Sequence, residues 1–250
     1  MSVANDSSAA IEAFELSRRY GRRWALANVS FRVERGSSVL LAGRNGSGKS
    51  TLLRVLSTAI RADRGTARIE GLDLRADRYE VRKKIALLGH HTNTYDALSA
   101  WQNLAISASL LGMPASRSAM MPLLEEVGLA ERADDAIVGF SAGMRKRISI
   151  ARVLLQIEAA PESAGASVIF LDEPYNQLDP PGFRFVDQMF KRLKEKGATV
   201  VMATHLIEHG AKICDVGMVL EGGRLIWSGP AADLPMRGGI APALLTEGVA

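Results

Sequence analysis

The sequence is almost without cysteine, and this scarcity bears on both fold and compartment. Its 250 residues contain a single cysteine, Cys214. No disulfide framework can form within the chain, which indicates a cytoplasmic protein with an apolar core rather than a small secreted fold. Because Cys214 lies in the strand-like apolar run ICDVGMVL, we expect a buried thiol rather than a reactive one.

Long apolar runs and targeting signals are also lacking. No window approaches the roughly 18 apolar residues of a membrane span, and the N-terminal MSVANDSSAAIEAF lacks the basic start and apolar stretch of a signal peptide. We therefore expect neither a membrane span nor secretion. The net charge of +4 is mild. Its densest cluster, the arginines of residues 18–23, is more typical of a solvated surface than of a site for nucleic acid or lipid headgroups.

What the sequence does contain is an alternation of apolar strands and helices. Residues 11–42 indicate short strands that lead into a glycine-rich loop, with a helix from residue 51 after it. The runs ASVIFLDE, ATVVMAT and DVGMVLEGG indicate buried strands, with a helix over about 182–196 between the first two. This pattern predicts an α/β fold with a mostly parallel sheet that is covered on both faces. Helical spacing over 98–127 predicts a subdomain inserted into that core.

The glycine-rich loop carries the first chemical signal. Residues 43–50 read GRNGSGKS, which matches G-x-x-x-x-G-K-[ST] between a strand and a helix. In such a loop the backbone N–H groups surround phosphates, Lys49 reaches the β and γ oxygens, and the Ser50 hydroxyl binds Mg²⁺. We expect contacts to the phosphates and Mg²⁺ of a nucleotide from Gly43, Arg44, Asn45, Gly46, Ser47, Gly48, Lys49, Ser50 and Thr51.

Three further polar residues follow buried strands. Asp172 comes directly after four apolar residues, so it is predicted at the carboxyl end of a strand, where it can hold Mg²⁺. Glu173 is next and is placed to polarise a water for attack on the γ-phosphate. His205 follows the next strand at the same edge and is predicted to contact the γ-phosphate. Glu173, His205 and Lys49 are therefore the predicted catalytic residues.

A second phosphate cradle is predicted at residues 140–147, which read FSAGMRKR. A helix that begins at Ser141 leaves its first N–H groups unpaired, so its tip can hold a phosphate. Two cradles in one chain indicate a nucleotide that is gripped between two copies of the protein.

Five motifs in this order resemble the ATP-binding subunit of an ABC transporter: the phosphate loop, FSAGM, DEP, the LD at residues 178–179 and ATH. The resemblance covers about residues 12–235. It implies a P-loop NTPase core with an N-terminal antiparallel β part and an inserted helical subdomain at about 92–155. One ATP-binding domain is then expected over 11–240, with tails at 1–10 and 241–250.

The resemblance also implies roles for residues outside the phosphate loop. Tyr20 matches the aromatic residue that stacks on adenine, and Asp179 of the LD motif is expected at the nucleotide. Ser141, Ala142 and Gly143 match the signature segment that contacts the γ-phosphate of ATP bound to the partner copy. Together these positions imply a head-to-tail dimer with two ATP molecules between its subunits.

Two positions depart from the family pattern. His91 stands where the family usually has glutamine, in the loop that joins the core to the helical subdomain. Its imidazole can still bind a water or Mg²⁺-bound water, so it joins Ser50 and Asp172 as a candidate for the metal site. Met144 replaces the glutamine that ends the usual signature LSGGQ and removes an amide that could bind ribose.

The implied function is ATP hydrolysis, with ATP and Mg²⁺ as cofactors, at the cytoplasmic face of a membrane. A separate integral membrane subunit, contacted near residues 95–111, would use this energy for export, and no nucleic-acid partner is expected. Four segments most resemble the ATP-binding subunit of the haem exporter in cytochrome c maturation: LLGHH, TYDALSAWQNL, SAG and LDEPY. This resemblance predicts haem as the cargo.

Four alternatives stay open at this point. The chain could serve an exporter of lipid or drug, an importer, or an ABC ATPase that acts on nucleic acid or ribosomes instead of in transport. The departures at His91 and Met144 would also suit a module that holds nucleotide without turning it over.

Overall fold

The structure, a computed structural model, describes residues 9–90, 92–158 and 167–234, and these form two β-sheets and seven α-helices. The strands are β1 (Ala9–Tyr20), β2 (Arg23–Glu34), β3 (Ser38–Ala42), β4 (Arg64–Ile69), β5 (Leu72–Asp73), β6 (Ile85–Leu88), β7 (Val168–Asp172), β8 (Thr199–Ala203), β9 (Val216–Glu221) and β10 (Arg224–Pro230). The helices are α1 (Lys49–Leu56), α2 (Arg78–Lys84), α3 (Ala100–Leu110), α4 (Arg117–Glu126), α5 (Ala142–Glu158), α6 (Pro180–Glu195) and α7 (Ile207–Ile213).

The larger sheet has six strands in the order β10-β9-β3-β8-β7-β6. Strands β9, β3, β8, β7 and β6 are parallel, and β10 pairs antiparallel with β9 at one edge. The predicted mostly parallel sheet is thus confirmed. Because its strands are parallel, their carboxyl ends meet at one edge, which is where ligands of such sheets bind.

Both faces of this sheet are covered, which explains the continuous apolar runs. In β7, Ile169 and Leu171 face a core shared with helices α3 to α6, whereas Val168 and Phe170 face a second core shared with α1 and the smaller sheet. Successive side chains of a strand point to opposite faces, so a strand between two cores needs apolar residues throughout.

The smaller sheet is antiparallel, with the order β2-β1-β4-β5. Its register places Glu12 of β1 between Arg32 of β2 and Arg68 of β4. Glu12 and Arg32 form an ion pair of 3.0 Å on the exposed face, while Ile11 beside them is fully buried. This sheet is the N-terminal antiparallel part that the resemblance implied.

The helical segment lies between β6 and β7, as expected for an insertion. Helix α3 begins with a capping box, in which the Ser99 hydroxyl accepts from the Gln102 N–H and the Gln102 side chain accepts from the Ser99 N–H. Buried Asn103 donates to the carbonyls of Tyr95 and Leu98 and so fixes the entry loop. None of the helices in the described part of the chain combines the length and the apolar character that a membrane span needs.

Three helices begin a residue or two away from their predicted starts. Helix α1 begins at Lys49 rather than residue 51, because Gly48 in a left-handed conformation is its N-cap. Helix α5 begins at Ala142, directly after Ser141. Helix α6 begins at Pro180, where the Asp179 side chain accepts from the Gly182 N–H and proline suits the first helical turn.

Candidate nucleotide site

The phosphate loop connects β3 to α1 and is held tightly against neighbouring backbone. Gly43 and Gly48 have φ angles of 148° and 111°. A Cβ on Gly43 would lie 2.3 Å from the Leu220 carbonyl oxygen, and one on Gly48 would lie 2.3 Å from that of Ala25. Both glycines are therefore required by conformation and by close approach, which fixes a turn of backbone N–H groups at the start of α1.

Lys49 reaches back across this loop. Its ammonium donates to the carbonyl oxygens of Gly43, at 2.7 Å, and Arg44, at 3.2 Å. An ammonium has three N–H donors, so one is left for a phosphate oxygen. Burial lowers the pKa of Lys49, while the carboxylates of Glu173 and Asp172 oppose this effect. The Lys49 ammonium and the carboxylates of Asp172 and Glu173 therefore lie close enough to interact electrostatically.

Ser50 and Asp172 meet at the carboxyl end of β7. The Ser50 hydroxyl donates to a carboxylate oxygen of Asp172 at 3.0 Å, and Asp172 is only 3% exposed. Burial raises the pKa of the Asp172 carboxyl, and the hydrogen bond from Ser50 opposes this. A hydroxyl and a carboxylate side by side are the hard oxygen ligands that Mg²⁺ prefers, so these residues fit the predicted metal.

Glu173 and His205 are also brought together, at the ends of the paired strands β7 and β8. The Glu173 carboxylate lies 2.9 Å from His205 Nδ1 and accepts from the His205 backbone N–H at 3.2 Å. The Glu173 backbone donates to Ala203 at 2.8 Å and has a φ of 49°, which is uncommon outside glycine. His205 was expected to contact the γ-phosphate, and in the structure its ring contacts Glu173.

Lys146 is a functional candidate that the sequence analysis missed. It lies in α5, is 3% exposed, and has a pKa lowered by burial to about 8, against the attraction of Asp172 and Glu173. Three of the four residues in the string MRKR, which contains Lys146, are charged. However, Lys146 is three and four residues before buried Ser149 and Ile150, so helical periodicity could have placed it on the buried face.

The signature segment opens α5 beside the loop that follows Glu173. The Ser141 hydroxyl accepts from the Met144 N–H at 3.2 Å, and the Met144 side chain packs against the core. A Cβ on Gly143 would lie 2.7 Å from the Gln177 carbonyl oxygen. The absence of a side chain at Gly143 is therefore required by the close approach of the loop, in addition to any contact with a partner's nucleotide.

Asp179 is occupied within its own chain. Besides capping α6, its carboxylate forms an ion pair with Arg147 of α5 at 2.5 Å, and Arg147 also donates to the Val127 carbonyl at 3.2 Å. The carboxylate has its pKa lowered mainly by the hydrogen bond from Arg147. The structure gives Asp179 a role in joining α5 to α6, and its contact with nucleotide stays a prediction.

Tyr20 lies at the end of β1 and is 47% exposed, with the Arg18 guanidinium 5.1 Å from the centre of its ring. Its register partner Arg23 reaches the phosphate loop, since Arg23 Nη2 is 3.8 Å from where a Cβ of Gly46 would be. The β1–β2 turn thus borders the loop, and stacking of Tyr20 on adenine stays a prediction. His91, the remaining candidate, lies outside the described residues.

Comparisons with known proteins agree with this geometry. Residues 26–176 match the family model described as ABC transporter. A daunorubicin resistance ATP-binding protein of Streptomyces coeruleorubidus is 37% identical over 219 residues, which cover 87% of this chain and 67% of that protein. A linearmycin resistance ATP-binding protein of Bacillus subtilis is 30% identical over 229 residues, which cover 91% and 71%.

Among solved structures, the ATP-binding subunit of an ABC transporter superposes with a TM-score of 0.78 at 28% identity, over 90% of this chain and 91% of that one. Both curated relatives above are named for antibiotic resistance, and they give no support to the predicted haem exporter. The family itself is established by the sequence match and the shared fold together. The chain belongs to the ABC transporter family, as an ATP-binding and ATP-hydrolysing cassette.

Proposed function

We propose that this cassette powers the export of an antibiotic-like compound through a separate membrane subunit. One observation carries the hydrolytic part of the proposal: Ser50, Asp172, Glu173 and His205 meet at the sheet edge beside Lys49. The cargo class rests on the names of the daunorubicin and linearmycin resistance relatives. An antibiotic-like cargo replaces the predicted haem, which was supported only by the resemblance of four short sequence segments.

The chain's own residues would divide the reaction as follows. Lys49 and the loop N–H groups bind the β- and γ-phosphates and stabilise charge on the transferred phosphoryl group. Glu173 accepts a proton from the attacking water, and His205 holds the Glu173 carboxylate through the 2.9 Å contact. Mg²⁺, held by Ser50 and Asp172, would neutralise charge on the phosphate oxygens.

The site is proposed to be completed by a second copy. Residues 141–143 of that copy would cap the γ-phosphate of ATP bound to the first, in a head-to-tail pair with two nucleotides. Ser141 and Ala142 support this, because both are exposed at the start of α5 and so are open to contact from another copy. The pair would sit at the cytoplasmic face of the membrane, against its transport subunit.

The substitution Glu173→Gln tests the hydrolytic proposal. It keeps the size of the side chain but removes the proton acceptor, so we expect ATP turnover to fall by about 100-fold or more with ATP affinity retained. Phosphate release and equilibrium nucleotide binding measure the two effects. Glu131→Gln, at an exposed position in the turn after α4, is the matched control and should keep normal turnover. Normal turnover in Glu173→Gln would remove Glu173 as the base.

A strain that lacks the gene tests the cargo. We expect greater sensitivity to daunorubicin or a related antibiotic, restored by the wild-type gene but not by the Glu173→Gln variant. Growth inhibition and drug accumulation in the cells are the measurements, with the level of c-type cytochromes as the comparison. Unchanged antibiotic tolerance together with a loss of c-type cytochromes would contradict the proposal and return haem as the cargo.

A further inference from the structure

Three side chains outside the nucleotide site form a hydrogen-bonded cluster behind it. Tyr175 lies in the turn after β7, Asp187 in α6 and His209 in α7. The Tyr175 hydroxyl donates to Asp187 Oδ1 at 2.8 Å, and His209 Nε2 lies 2.8 Å from the same oxygen. One carboxylate oxygen therefore joins three segments of the chain.

Ring packing fixes the geometry of this cluster. The Tyr175 ring lies 4.3 Å from that of Phe183 and meets the His209 ring edge-on at 5.1 Å, measured between ring centres. Tyr175 is 4% exposed, and burial together with Asp187 raises the pKa of its phenol. The phenol thus stays a donor. The His209 ring lies at the same oxygen, where a hydrogen on Nε2 would make it a second donor.

The cluster is close in sequence to both residues of the proposed hydrolytic pair. Tyr175 is two residues after Glu173, and His209 is four residues after His205, at the start of α7. Glu173 has a positive φ of 49°, a strained conformation that persists only where the surroundings impose it. Asp187 contacts Tyr175, in the segment that carries Glu173, and His209, in the segment that carries His205.

We propose that Tyr175, Asp187 and His209 are positioning residues that hold the Glu173 carboxylate and the His205 ring in their hydrolytic arrangement. This inference rests on the proposed function, in which Glu173 is the base. The three residues are not proposed to touch the nucleotide. They would affect the rate by holding Glu173 and His205 in place. The cluster and the Glu173–His205 contact both join the segment after β7 to the segment that contains α7.

The substitution Tyr175→Phe is the direct test, because it removes the hydroxyl and keeps the ring against Phe183. We expect kcat to fall by about 10-fold or more while the KM for ATP and the binding of a non-hydrolysable ATP analogue stay within about twofold. Tyr79→Phe, which removes a hydroxyl from a 72% exposed ring, is the matched control and should leave both unchanged. His209→Gln keeps an N–H donor, so it should retain more activity than His209→Ala.

The double variant Glu173→Gln/Tyr175→Phe separates positioning from a general structural role. If the cluster acts through Glu173, the second substitution causes no further loss of the residual rate of Glu173→Gln, measured in single-turnover reactions. A kcat for Tyr175→Phe within twofold of wild type would overturn the inference. So would an equal loss in both backgrounds, or a loss of kcat that is matched by a loss of ATP affinity.

Two controls keep the outcomes distinct. If Tyr175→Phe does not fold, as judged by its melting temperature, the same criteria are applied to His209→Gln and His209→Ala. If Glu173→Gln itself turns over normally, the proposed base is wrong and the positioning role falls with it. If Glu173→Gln is inactive and Tyr175→Phe is normal, the positioning inference alone is wrong.

Discussion

Cys214 shows at the scale of one residue how burial controls chemistry. Its side chain is 8% exposed, and burial raises the pKa of the thiol to about 12, although Lys194 opposes this. Since the thiolate is the reactive form, we expect iodoacetamide at pH 8 to modify the folded protein at least about 100-fold more slowly than the urea-unfolded chain. Mass spectrometry follows the modification at this single cysteine, and equal rates in both states would contradict the burial.

Among single residues, the sequence predicted that Lys49, Asp172, Glu173 and His205 belong to one site, because motif residues that follow parallel strands lie at the same edge of the sheet. Lys146 and Asp187 could not be placed this way, because their positions depend on how α5 and α6 pack.

At the scale of elements, the contact between α5 and the loop after β7 links the signature segment to the hydrolytic edge. We expect Gly143→Ala to lower the free energy of unfolding by about 1–2 kcal/mol, because its Cβ would lie 2.7 Å from the Gln177 carbonyl oxygen. Urea denaturation measures this. Gly139→Ala is the matched control, since a Cβ there meets nothing within 4 Å. Alanine favours a helix over glycine by about 0.5–1 kcal/mol, so a Gly143→Ala variant more stable than wild type would contradict the close contact.

The apolar runs in the sequence predicted the strands of the parallel sheet well, because both faces of that sheet are buried. Helix starts were less exact, because caps such as Gly48 and Asp179 decide them locally.

For the whole molecule, the proposed reaction requires two copies of the chain. The phosphate loop and the signature segment lie on one chain, and the proposed reaction uses the loop of one copy with residues 141–143 of the other. Sequence alone suggested this from two phosphate cradles, and the family resemblance supplied the head-to-tail arrangement. Geometry within one chain cannot define that pairing, since the contacts that would create it lie between chains.

The most direct measurement is the mass in solution of Glu173→Gln with ATP and Mg²⁺, by light scattering during size-exclusion chromatography. We predict twice the monomer mass of 26.9 kDa with ATP, and the monomer mass without it. Adding Ser141→Arg should leave the protein monomeric yet able to bind ATP, because the phosphate loop is unchanged. Adding Ser116→Arg instead should leave the dimer intact, although Ser116 caps α4 much as Ser141 caps α5, each accepting at 3.2 Å. A Glu173→Gln protein that stays monomeric while saturated with ATP, or an equally stable dimer with Ser141→Arg, would contradict the two-copy site.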